Sequence, residues 1–298
     1  MKRILTISLI LIANIAVSQT VLYKGTAEKL SIIKPNPRIA VYDLSALETV
    51  HALNGNIVGV AKASVFADLI SLKDSPNIED IGGLTKPNIQ KIQTIKPDLI
   101  IISGRQRSAA DSLSQIAPVL DVSATDLEEL ERTQHTITIL GKILGKEVEA
   151  EKLVHEFKGS MTKFQQQARA FNQSEALMLM YINGKLVGFP SKSRFGFIHD
   201  VLGFKESNIE MDASARSNPL SDADILNANP KYIFVFDRGQ ISTDILADKE
   251  KIETDLIKKT KAYQEGNFIY LNPRLWYLVG SGPISSPKMA AEVLGPIK

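Results

Sequence analysis

Apolar positions along this chain follow two rhythms that take turns. Short runs that are apolar throughout, Ile57-Val58-Gly59-Val60 and Leu99-Ile100-Ile101-Ile102, stand between stretches in which apolar residues return every three or four positions. The run from Arg38 to Asp43 opens the series. The pattern from Leu44 to Leu53 is helical and stops at Gly55, and Ile89 to Ile95 is helical again before Lys96-Pro97-Asp98 leads into Leu99. Strands buried on both faces lose the polar alternation of half-exposed ones, so this sequence of runs predicts a parallel sheet covered by helices on both sides.

The second half repeats the arrangement. Leu177 to Tyr181 reads as a strand, Phe195 to Leu202 as a helix with a Gly203 stop, and a helix ends over Ile225 to Asn229. Pro230-Lys231-Tyr232 then leads into Ile233-Phe234-Val235-Phe236, echoing Lys96-Pro97-Asp98 and Leu99–Ile102. Between the halves, Leu127 to Leu144 is one helical pattern closed by Gly145. Glu147 to Ala170 is a second, carrying Val148, Leu153, Val154, Phe157, Met161 and Phe164 on one stripe. The expectation is two three-layer α/β lobes with mainly parallel sheets, residues 19–145 and 172–298, joined by one long rigid helix over 146–171. A helix is a stiff spacer where a Gly/Ser linker would be a loose one. Lobes joined in this way leave a cleft between them, where ligand sites concentrate.

The first eighteen residues stand apart. Lys2 and Arg3 precede a mostly apolar run from Ile4 to Val17, and Ala16-Val17-Ser18 supplies small residues ahead of Gln19. A membrane span needs about 20 apolar residues; this run is shorter and has the layout of a secretory signal peptide cut near Ser18-Gln19. The 298 residues contain no cysteine, so the exported protein is expected to be free in a periplasm, without disulfides and without a lipid anchor. Once Lys2 and Arg3 are removed, the basic residues equal the 33 acidic ones. Such a balance argues neither for nucleic acid nor for a membrane surface as partner.

Chemistry by the chain itself has little support. Gly280-Ser281-Gly282 lacks the strand–turn–helix setting of a nucleophile elbow, the four histidines (His51, His135, His155, His199) are scattered, and Gly82-Gly83 is not followed by the Lys-Ser/Thr of a phosphate loop. No pair of histidines or cysteines has zinc spacing. Binding is the remaining reading, and its candidates sit just beyond the predicted strands. Arg105 follows Ile102-Ser103-Gly104, Arg238 follows Phe236-Asp237, and Arg194 leads into the helix expected from Phe195. Open α/β sheets bind ligands outside the carboxyl ends of their strands, and a helix N-terminus favours anions. Trp276 and Tyr277, ahead of a glycine-containing loop, offer either a packed aromatic or a phenol in the cleft.

These segments together, Ile101-Ile102-Ser103-Gly104-Arg105-Gln106, Ser193-Arg194-Phe195-Gly196-Phe197-Ile198-His199-Asp200-Val201-Leu202-Gly203, Tyr232 to Arg238 and Trp276-Tyr277-Leu278, resemble the periplasmic catecholate-siderophore receptors of the CeuE, FatB and VctP type. The resemblance implies a class III, helical-backbone periplasmic binding protein that takes up a ferric siderophore and passes it to an inner-membrane ABC importer. It has no cofactor of its own and works as a monomer. In that family three cleft arginines hold the anionic complex, matched here by Arg105, Arg194 and Arg238. A tyrosine of the Trp-Tyr-Leu motif can ligate Fe(III), matched by Tyr277 beside Trp276. A histidine ligand of the relatives has no counterpart; Arg216 stands near its place and cannot coordinate iron while protonated. It would instead add a fourth positive group. His199 falls in a matched motif but reads as structural. Asp222 and Asp224 are candidate importer-docking acids on one lobe, while Gln90 occupies the place of an acid on the other. Two alternatives stand beside this reading: a haem or corrinoid receptor of the same fold, and an exported α/β enzyme using Asp, Glu or Tyr as acid–base groups.

Overall fold

The computed structural model describes residues 35–297 apart from 124–125, 216 and 244. The expected signal segment and Arg216 therefore lie outside the described residues.

Five parallel strands form the first sheet: β1 (Ile39–Val41), β2 (Ile57–Val60), β3 (Glu79–Asp80), β4 (Leu99–Ile102) and β5 (Val119–Asp121). Their spatial order is β3-β2-β1-β4-β5. The chain thus winds outward from β1 in one direction and returns to add β4 on its other side, so β1 and β4 flank the point where the winding reverses. Every residue of β1, β2, β4 and β5 is buried, which is why these strands read as unbroken apolar runs. Helix α1 (Leu44–Ala52) starts at Asp43, whose side chain accepts from the Ala46 N–H. Helix α2 (Ile89–Ile95) ends at Lys96 in the left-handed conformation.

The second sheet contains β6 (Glu175–Ile182), β7 (Lys185–Gly188), β8 (Lys205–Glu206), β9 (Asn218–Leu220), β10 (Tyr232–Asp237) and β11 (Phe268–Tyr270). The order is β9-β7-β6-β10-β11, with β8 beside β6. Pairs β6–β10, β10–β11 and β6–β8 are parallel; β6–β7 and β7–β9 are antiparallel. The antiparallel edge starts at a two-residue turn with both residues at positive φ, Asn183 (50°) and Gly184 (78°), the backbone that a tight hairpin requires. The period of two is plain in the packing. Met178, Met180, Phe234 and Phe236 enter the main core, while Leu177, Leu179, Ile233 and Val235 face a second core on the sheet's other side.

Helix α3 (Glu129–Leu144) stops at Gly145, φ 64°, and helix α4 (Glu147–Ala168) follows at once. The 22 residues of α4 span about 33 Å at the α-helical rise. Ala150, Phe157 and Met161 of α4 sit in one core cluster with residues of both lobes; the connector is thus packed along its length rather than free. Val148 departs from the expected stripe. At 77% exposure it lies in the first turn of α4. The helix expected from Phe195 to Leu202 also shrinks, to α5 (Phe197–Asp200). A Cβ on Gly196 would lie 3.0 Å from the Pro190 carbonyl oxygen; the chain doubles back there and leaves no room for earlier helical turns. Helix α6 (Asp222–Ala228) and the C-terminal α7 (Ser285–Leu294) complete the framework, with α7 packed on α4. No helix among the described residues is long and apolar enough to cross a membrane.

Candidate functional site

The seam between the lobes opens into a cleft of about 780 Å³. Asp43 after β1 and Ser103-Gly104-Arg105 after β4 both line it, placing the cleft at the reversal of the first sheet's winding, where open α/β sheets hold ligands. The opposite wall is Ser193-Arg194-Phe195, and the segment from Trp276 to Pro283 forms the floor. One face of α3, with Glu129, Arg132, Thr133 and Thr136, forms a side.

Tyr277 occupies a π-helical turn, Arg274–Val279, in which the Gly280 N–H reaches back to the Leu275 carbonyl at 3.1 Å. The turn ends at Gly280 with φ 69° and ψ −141°, a backbone only glycine adopts without strain. Widened turns of this kind recur at functional sites. Here the turn leaves two carbonyls for the other lobe: Arg105 donates through Nη1 to the Leu278 carbonyl at 2.8 Å and through Nη2 to the Tyr277 carbonyl. Arg194 donates to the same Tyr277 carbonyl at 3.1 Å. The Arg105 backbone is in turn fixed from below, since Ser103 and Gln106 cap each other and the Gln106 amide donates to the Leu84 carbonyl.

All three predicted arginines gather around one ring. The guanidinium carbons of Arg194, Arg238 and Arg105 lie 4.8, 5.0 and 6.0 Å from the centroid of Tyr277, within cation–π range. Arg194 also covers Phe195 at 4.7 Å. Burial raises the phenol's pKa, but a hydrogen bond from Arg238 and the charges of Arg238 and Arg194 outweigh it and bring the pKa below the usual tyrosine value. Burial, then repulsion from Arg194, lowers the pKa of Arg105, against the pull of Asp43 and Tyr277. Cations crowded in this way gain from any anion that enters between them. Arg238 meets Tyr277 without itself lining the cleft.

The other residues singled out in the sequence take the following places. Arg194 does not stand at a substantial helix N-terminus, because α5 has only four residues and too few aligned peptides for a useful dipole; its role rests on its own charge. Trp276 is the packed aromatic rather than a free cleft group. It is 1% exposed, donates its indole N–H to Glu292 at 2.9 Å and meets Phe197 edge-on at 5.8 Å. His199 is buried, with Nδ1 3.0 Å from the Phe204 carbonyl. Asp222 accepts from the Thr254 hydroxyl at 2.7 Å and Asp224 caps α6 through Ser221, so both have structural partners. Gln90 is exposed. Among the described residues no cluster of three His, Cys, Asp or Glu side chains could hold a metal ion.

The structure adds residues the sequence reading passed over. Lys192 pairs with Glu128 across the cleft at 2.8 Å, and Arg132 lies against Ser281 at 3.5 Å. Burial raises the pKa of Glu129, opposed by the Ser281 hydroxyl and Arg132. The signal was available: positions 129, 132, 133 and 136 fall on one helical face that is polar throughout.

Known proteins share this architecture. The profile described as periplasmic binding protein matches residues 39–275. The chain is 31% identical over 264 residues to the petrobactin-binding protein YclQ of Bacillus subtilis, covering 88% of this chain and 83% of YclQ. It is 30% identical over 268 residues to the ferric-anguibactin-binding protein FatB of Vibrio anguillarum, with the same two coverages. The crystal structure of YclQ superposes with a TM-score of 0.81 at 30% identity, over 93% of this chain and 98% of that one. The periplasmic catecholate-siderophore binding protein VctP of Vibrio cholerae gives 0.75 at 29% identity, over 88% and 93%. The profile runs from the first strand of one lobe into the aromatic turn of the other, and the chain belongs to the periplasmic binding protein family, whose members serve ABC transporters as binding proteins and not as enzymes.

Proposed function

We propose that this chain captures a ferric siderophore of catecholate type in the inter-lobe cleft and delivers it to an ABC importer for iron uptake. The observation that carries the reading is the convergence of Arg105, Arg194 and Arg238 on Tyr277 at the seam. A ferric catecholate complex is a compact, multiply charged anion, and guanidinium groups keep their charge at any relevant pH while directing several donors at anionic oxygens. The similarity to YclQ, FatB and VctP supports the same ligand class. Haem and corrinoids are less anionic than this charge cluster calls for.

In this reading Arg105 and Arg194 hold the ligand directly, Arg238 acts on it through Tyr277, and Trp276 backs the turn that carries Tyr277. Arg216 adds a further positive group. With no histidine offered at the family's iron position, Tyr277 is the one phenol among the described residues that lines the cleft, and the cleft favours siderophores that already fill iron's coordination sphere. The lobes divide at residues 145 and 172 about the connecting helix. Residues 1–18 direct export and are removed, the mature protein is a free monomer in the periplasm, and Asp222 and Asp224 face the importer.

The test is a titration of purified protein with ferric tris-catecholate, mixed catecholate–citrate and hydroxamate complexes, followed by quenching of the single tryptophan. Saturable quenching by the catecholate complex, weaker with the hydroxamate, is expected. Equal response to a neutral hydroxamate complex, or tighter binding of haem, would overturn the assignment.

A further inference from the structure

One buried carboxylate plays no part in the cleft chemistry above. Glu48 lies on α1 of the first lobe and is 5% exposed. Its Oε2 accepts from the backbone N–H of Ile284 at 2.9 Å, the N–H of Ser285 at 3.0 Å and the Ser285 hydroxyl at 3.2 Å. All three donors belong to the start of α7, more than two hundred residues away in sequence. The chain also runs directly over the carboxylate, since a Cβ on Gly282 would sit 2.4 Å from Oε2.

The segment held in this way is the floor of the cleft. Gly280, Ser281, Gly282 and Pro283 line it, between the π-helical turn and α7. Arg105 grips the upstream end through the Tyr277 and Leu278 carbonyls, and Glu48 grips the downstream end. Both come from the first lobe, whereas the Tyr277 ring packs on Phe195 and Phe236 of the second. We propose that Glu48 is a positioning residue that pins the cleft floor to the first lobe, and that a single proton on it sets how firmly the lobes are held together.

The surroundings give the proton its leverage. A small cavity of about 30 Å³ adjoins Glu48, and the other charged residues lining it are Asp68 and Lys288, which pair with each other at the surface. Burial raises the Glu48 pKa to about 7, with the Ser285 and Ile284 N–H groups, the Ser285 hydroxyl and the Lys288 charge opposing it. Once the floor lifts away, the carboxyl meets water and returns toward the ordinary value of 4.5. The pinned state therefore binds the proton more tightly than the lifted state. By linkage, pinning is strongest in acid below the ordinary value and weakens as pH rises through about 7.

Hydrogen exchange on the ligand-free full chain tests this without recourse to any siderophore, so its failure is distinct from failure of the proposed function. Corrected for intrinsic rate, opening at the Ile284 and Ser285 amides should increase about tenfold or more between pH 5 and pH 8 in the wild type. E48Q keeps the shape and a carbonyl acceptor and should show no such pH dependence. E48A should expose both amides at every pH. If E48A does not fold, Gly282→Ala, which drives a methyl group into the carboxylate, should raise exchange at the same amides. A wild-type pH profile retained in E48Q, or full protection of both amides in E48A or Gly282→Ala, would overturn the proposal.

Discussion

Replacing Arg105 with alanine should cost the protein twice, once in ligand affinity and once in the coupling of its lobes, and the two losses can be read separately. The guanidinium has five N–H groups; two of its nitrogens are engaged by the Leu278 and Tyr277 carbonyls. The remaining N–H groups can take an anionic oxygen without breaking the inter-lobe bonds. Each charged hydrogen bond is worth about 1.5–3 kcal/mol, so loss of a single ligand contact should weaken binding by roughly tenfold to a hundredfold. The Leu278 carbonyl, left without its charged donor while Arg194 still reaches that of Tyr277, should lower stability by a comparable amount, about 1–3 kcal/mol. Affinity can be followed through Trp276, which lies next to Tyr277 and is 1% exposed. Its fluorescence should respond to a quencher on the far side of the tyrosine and little to solvent. Stability is measured by thermal unfolding without ligand. Arg105→Lys separates the effects: it keeps the charge but cannot span two carbonyls and a ligand oxygen together, so it should recover part of the affinity and little of the stability. Binding of a ferric tris-catecholate by Arg105→Ala within twofold of wild type would refute the reasoning, whatever happened to the melting temperature.

Three further outcomes follow from the geometry. Tyr277→Phe should lose about 0.5–1.5 kcal/mol of affinity for a siderophore that satisfies iron by itself, the value of one hydrogen bond; a phenolate-to-iron absorption band lost in this variant with most of the affinity would instead make Tyr277 an obligatory ligand. Burial lowers the His199 pKa below the usual 6.5, partly offset by the Phe204 carbonyl and the charges of Glu206 and Asp200. Its contribution to stability is therefore complete above that value and declines as pH falls below it, because the unfolded chain takes up the proton first; His199→Asn should flatten this part of the unfolding profile, and an unchanged slope would count against it. N-terminal sequencing of the exported protein should begin at Gln19, and an intact Met1 would defeat the expected cleavage.

Much of the fold was legible because burial on both faces leaves an unmistakable record. Strands β2 and β4 and helix α2 fall on the apolar runs read from the sequence, and Gly145 closes α3 where a left-handed residue was wanted. Misreadings arose where local pattern and tertiary contact disagree. Phe195 and Leu202 are both buried, so their spacing imitates one helix face, although a fold-back at Gly196 keeps them on separate segments. The hairpin that makes the second sheet mixed is signalled locally by Asn183-Gly184, a cue set among apolar runs that by themselves point to parallel strands. In the site, the arginines could be found because Arg105 and Arg238 each follow a strand and Arg194 precedes a helical pattern. Glu48 is harder to see: it stands one turn after Leu44 and next to Leu47, on the apolar face of its helix, and the partners that make it tolerable there come from the far end of the chain. The π-helical turn has no signature of its own in the residues that form it.

The doubly used Tyr277 carbonyl has a consequence for how such a receptor can change its diet. Arg105 and Arg194 both hold this one oxygen, and the same side chains are the ones proposed to hold the anion. A lineage, or a designer, drifting toward an uncharged cargo would discard these arginines first, and would thereby slacken the joint before the new preference had taken shape. The order of substitutions is thus constrained: a replacement brace for the aromatic turn has to appear ahead of the change in taste. Trajectories that attempt the reverse should stall at floppy, poorly expressed intermediates, which makes the history of specificity in this scaffold a history of its hinges as well.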